Sequence, residues 1–426
     1  MLIQSMSAMM ERIIGPRSIH ALPARSDDDR VERVYAQMRR DFFVASPFML
    51  HASVPPLLAG TWALVRESLF TGRVARGKKE VIAWAISEAN QCPFCIAAHH
   101  AAVKAAKEED AELAAWARAS AHADGPVVRA LPYRDASPEE QAELFATVVA
   151  FHYLNRMVSV FLGDKMMPNP DFLDGVAGAM ARFMMGGMIA KGRENREGDA
   201  LPLLAQADPE LAWTPAWAAS RPTMAGALGG GASAAEEAAL AHLPAPLRDA
   251  LGTAIESWSG GPADPAPPEP EAPWAAAYEL AARAAFAPYT ARKEALATLR
   301  ADGWAPEALL THVAWTAQRA SRRVDRWLPA LKEEREHDTG DQEEPLRHVA
   351  GHGFLEELPR RNLVYVPEEH AEEHEEPERR ETQRAEEPTR RVRALHGDRV
   401  VRGNGVAIRH AAKLATRIAP TYRPSG

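Results

Sequence analysis

An all-α fold follows from three observations on this 426-residue sequence. Apolar residues recur at three- and four-residue spacing through most of the first 331 positions, prolines and capping residues stand where such stretches begin, and the flanks of the cysteines are alanine-rich rather than β-branched. The length exceeds what one compact helical core holds, so two or three domains are expected. The divisions read as an N-terminal extension (1–27), a first helical domain (28–221), a second helical domain (232–331) and a charged tail (332–426).

In order, Val31, Val34, Tyr35 and Met38 make one helix face. Pro47, Pro55 and Pro56 then interrupt, and Leu57, Leu58, Trp62 and Val65 resume the pattern, which gives helix, loop, helix up to about Arg66. Val81, Ile82, Ala85, Ile86 and Ala89 predict a further helix from Lys79. The next starts after Cys92, with Pro93 in the first position, where a missing N–H costs nothing, and runs to about Glu108. Ser137-Pro138-Glu139-Glu140 is a strong helix start, with a capping hydroxyl followed by acids at the positive end of the dipole, and the helix it opens reaches Phe161. Pro168, Pro170 and many glycines make the following segment irregular. Gly229-Gly230-Gly231 and the proline-rich Gly260 to Pro273 read as loops or linkers.

Helical patterning returns at Leu240 to Trp258, Trp274 to Phe286, Ala291 to Leu299 and Ala305 to Leu328. Val313-Ala314-Trp315 and Arg319 loosely echo Val149-Ala150-Phe151 and Arg156, so the second half reads as a degenerate repeat of the first, with an unrelated helical domain as the alternative. From Lys332 to about Arg393 the chain is rich in Glu, Arg and His and poor in large apolar residues. Such a composition cannot offset the entropy of ordering and predicts a disordered tail.

A net charge of −8 supplies no basic field for a phosphate backbone, which argues against nucleic acid as a partner. Met1 to Met10 lacks a basic leader, and Glu11 and Arg12 end its apolar character, so no signal peptide is expected. Val176 to Ala190 is broken by Arg182 and three glycines and falls short of the roughly 20 residues of a membrane span. A soluble, cytoplasmic protein is expected. The two cysteines of the chain stand three apart, as a working dithiol in a reducing compartment would.

If Pro93 opens a helix, Cys95 lies in its first turn, where free N–H groups and the dipole favour a thiolate and make it the nucleophile. Cys92, beside the cap, is close enough to form a disulfide once Cys95 has become a sulfenic acid. His99 follows Cys95 by four and shares its face, so its imidazole can take the thiol proton. With a chain reversal near Asn90 and Gln91, Glu80 lies roughly 15 Å before the turn and His99 roughly 12 Å after it, at 1.5 Å per residue. An antiparallel hairpin would therefore let Glu80 orient His99.

Other readings of the same residues remain. A zinc site lacks an evident fourth ligand, c-type haem would need histidine where Ile96 stands, and an inert pair of buried cysteines stays open. No metal and no cofactor are expected. His100 reads as a surface or core residue and Glu88 as a solvated charge, whereas His152 and Arg156 read as packing or ion-pair residues that could approach the site.

The pattern of Glu80, eleven residues, Cys92-Pro-Phe-Cys95, three residues and His99 resembles the carboxymuconolactone decarboxylase-like superfamily, in particular its alkylhydroperoxidase D branch. The surrounding residues from Asp28 to Leu162 look like that branch's helical unit, and Tyr153-Leu-Asn-Arg156 resembles its later helix. The resemblance implies an alkylhydroperoxidase D-like all-helical fold assembling as trimers or hexamers. It also implies peroxidatic Cys95, resolving Cys92, a proton relay of Glu80 and His99, a hydroperoxide substrate and an external dithiol reductant. Phe94 stands where the best-characterised members carry a histidine. The alternatives are a decarboxylase-type lyase, whose members generally lack the cysteine pair, and a non-catalytic redox-sensing interaction protein.

Overall fold

The computed structural model describes residues 25–124, 130–133, 135–162, 195–291 and 293–329. The expectations for residues 1–24, for Val176 to Ala190 and for the charged tail lie outside them. Among the described residues there are helices and turns and no strand beyond a single bridge between His122 and Gly260, an all-α fold as the sequence predicts.

Helix α1 (Asp29–Asp41) starts on Asp28, whose carboxylate accepts the N–H groups of Arg30 and Val31, and it buries the predicted face of Val31, Val34, Tyr35 and Met38. A short turn (Ser46–Met49) leads to α2 (Pro55–Val65), which continues into a wide helical turn (Arg66–Phe70). Helix α3 (Arg76–Ala89) begins three residues before the expected Lys79. It is followed by α4 (Pro93–Ala106), which starts on Pro93 as predicted, and by α5 (Ala111–Ala119), which the sequence reading did not anticipate. Helix α6 (Pro138–Phe161) has the anticipated capping box, with Glu140 N–H on Ser137 Oγ at 3.3 Å and Ser137 N–H on Glu140 Oε2 at 2.9 Å.

The second stretch comprises α7 (Pro222–His242), α8 (Ala245–Ser257), α9 (Ala275–Phe286), α10 (Lys293–Ala301) and α11 (Pro306–Asp325). Residues 229–231, expected as a linker, lie in the middle of α7 instead. The physical reason is a close helix crossing: a Cβ on Gly60 of α2 would stand 2.9 Å from the Cα of Gly231, so small residues let the two backbones meet. Glycine, which argues for a loop from local propensity, is here retained for tertiary approach. The expected single helix from Leu240 to Trp258 is broken at Leu243 and Pro244, between α7 and α8.

Helix α6 runs through the centre, with α3 on one side and α11 on the other, while α2 lies along α7 and α4 packs on α3. It is long and apolar enough to cross a membrane, yet 94% of that apolar window is buried inside the protein, as a core helix requires. The two helical stretches fall within one compact unit (1–345). Glu143 of α6, fully buried, fastens the loop before α3 and the start of α7: it accepts the N–H groups of Arg73 (2.7 Å) and Val74 (2.9 Å) and pairs with Lys79 (2.6 Å) and Arg221. Gly72, at φ +100°, turns that loop against the carboxylate with no room for a Cβ.

The glycine crossing gives a contrast to measure. Gly-to-Ala in a helix ordinarily gains about 1 kcal/mol, but Gly60→Ala drives a methyl into the opposing backbone and should destabilise by roughly 1–3 kcal/mol. In Gly231→Ala the nearest atom to the new methyl is a carbonyl oxygen 3.4 Å away, so that variant should stay close to wild type in urea unfolding.

Candidate active site

The turn between α3 and α4 fixes the two cysteines. Gln91 N–H bonds Glu88 C=O at 3.1 Å and Cys92 N–H bonds Ser87 C=O at 3.0 Å, the double closure of a Schellman motif, with Gln91 in the left-handed region at φ +49°. That conformation normally selects glycine, so Gln91 holds modest strain at the site. Cys92 thereby ends α3 and caps α4, since its own C=O accepts Ile96 N–H at 2.9 Å. Cys95 sits one turn into α4, and the two sulfurs are 2.7 Å apart with both thiols free.

Both sulfurs are occluded, with Cys92 1% and Cys95 4% exposed. Burial pushes the Cys95 thiol well above its ordinary range, and hydrogen bonding to Cys92 adds to this, while a hydrogen bond from Asn155 pulls the other way. The thiolate expected from the helix tip alone is therefore not the resting state. Desolvation outweighs the first-turn N–H groups, and ionising Cys95 requires a group that takes its proton.

His99 stands one turn beyond Cys95 on the same face of α4. Its Nδ1 is 2.6 Å from Glu80 Oε2, and Glu80 Oε1 receives Arg76 Nε at 2.6 Å, so the carboxylate has a cation on one oxygen and an imidazole on the other. Burial works to raise the Glu80 carboxyl, but Arg76 and His99 outweigh it and hold it at about 2. A carboxylate can only accept, so the Nδ1 proton of His99 points at Glu80 and Nε2 is left as the base. Arg76 is in turn held by the Phe70 ring, 4.3 Å from its guanidinium carbon, and His99 rests edge-on against Phe151 at 4.6 Å between centroids.

The structure thus brings Glu80 to His99 and Cys92 to Cys95 on one hairpin. His100 stacks on Trp84 at 5.2 Å, and Glu88 pairs with Arg118 at 2.6 Å, a half-exposed ion pair where a free solvated charge was expected. His152 and Arg156 are buried and bond to each other, with Asn90 beside His152, and neither bonds a cysteine sulfur. Arg156 NH1 donates to His152 C=O at 2.6 Å, and Asn90 Nδ2 lies 3.3 Å from His152 Nδ1 and 3.2 Å from Asn155 Oδ1. Sequence reasoning missed Arg76, Ser87, Asn90 and Asn155. Only Arg76 left a signal, its i, i+4 spacing to Glu80.

Among the described residues no three His, Cys, Asp or Glu side chains converge as a metal-holding group. A cavity of about 620 Å³ opens beside the start of α3, lined among others by Arg73, Lys78, Tyr133 and Glu140, and none of the four site residues borders it.

Residues 55–136, which hold the hairpin with its two touching thiols and acid-oriented histidine, match the carboxymuconolactone decarboxylase family. Among characterised proteins, the chain is similar to alkyl hydroperoxide reductase Rv2159c of Mycobacterium tuberculosis strain H37Rv. The two are 29% identical over 351 residues, covering 76% of this chain and 98% of the relative. No solved structure matches the chain. Together these support an enzyme of the peroxidase-like or carboxymuconolactone decarboxylase kind.

The depressed Glu80 carboxyl carries a stability consequence. Its stabilisation is complete above the ordinary carboxylate value of 4.5 and is lost as pH falls towards about 2. In thermal unfolding, the gap between wild type and Glu80→Gln should be widest above that window and close progressively within it. A gap that stays constant with pH would contradict the assignment.

Proposed function

We propose that this protein is a thiol peroxidase that reduces an organic hydroperoxide through Cys95 and Cys92. The observation that carries the reading is the contact of two free sulfurs at 2.7 Å beside a histidine whose tautomer is set by Glu80. The similarity to a protein named an alkyl hydroperoxide reductase supports it.

In the proposed reaction His99 Nε2 takes the Cys95 proton, and the resulting thiolate attacks the terminal oxygen of the hydroperoxide. An S–O bond forms as the O–O bond breaks, sulfur loses two electrons to the peroxide, and His99 returns the proton to the departing alkoxide. Cys92 then attacks the sulfenic sulfur, the S–S bond forms and water leaves. An external dithiol returns two electrons and two protons through a mixed disulfide. Because burial raises the Cys95 thiol, the relay of Arg76, Glu80 and His99 is needed at neutral pH rather than redundant with the helix tip. A decarboxylase-type lyase has no use for two sulfurs in contact.

Mixing the reduced protein with cumene hydroperoxide should consume two thiols in wild type. Cys95→Ser should be inert and Cys92→Ser should stop at a sulfenic acid that a dimedone-type probe traps. His99→Ala should slow the oxidation by roughly 10²–10⁴ at neutral pH, as loss of a general base does, and recover in part as pH rises. Unchanged thiols in the wild-type protein refute the reading.

A further inference from the structure

The turn that carries Cys92 is gripped from α6 by one buried side chain. Cys92 N–H bonds Ser87 C=O at 3.0 Å and Asn90 N–H bonds Ile86 C=O at 2.9 Å, so Ser87 and Asn90 mark the two sides of the reversal. Asn155 reaches both. Its Nδ2 donates to Ser87 Oγ at 3.1 Å and its Oδ1 accepts from Asn90 Nδ2 at 3.2 Å, with all three residues buried.

Neither amide can turn over. Ser87 Oγ spends its one proton on Ala83 C=O at 2.6 Å, so towards Asn155 it can only accept, and the atom facing it is the Asn155 nitrogen. The far end of the network gives the same orientation without reference to Ser87. Arg156 Nη1, which can only donate, stands 3.2 Å from His152 Nδ1, so that nitrogen carries the lone pair and the ring proton is on Nε2. Nε2 donates to Ser120 Oγ at 2.9 Å, whose own proton goes to Ala117 C=O at 2.6 Å. Asn90, 3.3 Å from the same Nδ1, therefore presents its nitrogen, and the second proton of that nitrogen meets Asn155 Oδ1. Reversing either amide would set donor against donor or acceptor against acceptor, out of reach of water.

We propose that Asn155, acting through Ser87 and Asn90, is a positioning residue for disulfide closure: it holds the turn in the shape that keeps Cys92 beside Cys95. The local sequence does not favour that shape, because Gln91 sits in the left-handed region at φ +49° with a Cβ. The two hydrogen bonds to Asn155 tie the turn to the core helix, and relaxing it would leave buried amide groups unpaired. A turn held in advance loses less freedom when the S–S bond forms. The effective concentration of one thiol at the other is raised, and the disulfide is stabilised against reduction. This deepens the peroxidase reading, whose second step is that closure, and rests on it for its purpose alone.

The experiment equilibrates the full chain with glutathione and its disulfide. The two cysteines give up two electrons and two protons, their S–S bond forms, and two glutathione thiols are released for each glutathione disulfide consumed. Asn155→Ala should lower the equilibrium constant for closure roughly tenfold, a shift of about 30 mV to a less negative potential. Asn90→Ala should act in the same direction, and the double variant should lose less than the product of the two single effects, since both break one linkage. Thermal unfolding establishes which variants are folded. A residue that merely supports the fold stabilises dithiol and disulfide alike and leaves the constant unmoved. A folded Asn155→Ala variant with the wild-type constant therefore overturns the proposal, as does strict independence of the pair. Should the variants not fold, amide exchange in the reduced wild-type protein decides: Cys92 N–H should be protected as strongly as the middle of α6, and exchange at the rate of an open turn overturns the proposal. No peroxide enters these measurements. A lowered constant in a protein that ignores hydroperoxide keeps the role of Asn155 and removes the peroxidase reading, whereas a wild-type constant beside normal peroxide turnover does the reverse.

Discussion

The rest of the structure depends on one constraint, that α6 has almost no exposed face and yet carries Glu143, Thr147, His152, Asn155 and Arg156. Each of these groups costs about 1–3 kcal/mol if buried without a partner, so the elements around α6 are arranged to meet them. Glu143 gathers Lys79, Arg221 and two backbone amides, Thr147 donates to Glu143 C=O at 2.7 Å, and His152 and Asn155 reach the ends of α5 and α3. Arg156 goes the other way and donates to Ala285 C=O of α9 at 2.9 Å, while Trp327 donates to Ser120 C=O at 2.9 Å. The second helical stretch is thus hydrogen-bonded to the same polar groups that tie α6 to the first. The similarity to the mycobacterial relative extends over both stretches.

At the site, stability and reactivity pull apart. Burying two thiols favours their neutral form and keeps them inert, whereas at Glu80 the partners Arg76 and His99 outweigh desolvation and keep the carboxylate charged. What the arrangement does supply is direction. Glu80 is a carboxylate through the whole physiological range, so the histidine presents a fixed lone pair, and the strained Gln91 turn holds Cys92 against Cys95. Order is concentrated where a proton and an electron pair have to move in a set sequence.

Much of this was legible from residue order alone. The capping box at Ser137, the proline starts at Pro93 and Pro138, and the buried faces of α1 and α3 are local matters that spacing reports. The pairing of Glu80 with His99 was also legible, because a two-residue reversal between helices fixes which levels face each other. What failed did so for tertiary reasons: three successive glycines read as a linker by propensity, and their place in α7 depends on the backbone of α2 at Gly60.

The sequence by itself determined an all-helical chain and the local chemistry of one hairpin, since helix periodicity, caps and i, i+4 spacing are short-range. Only the tertiary structure decided how acidic the cysteine is and which buried asparagines stand across from the hairpin. A pKa depends on burial and on groups 60 to 70 positions away in the chain, such as Asn155 across from Ser87 and Asn90, and no window of residues contains those terms.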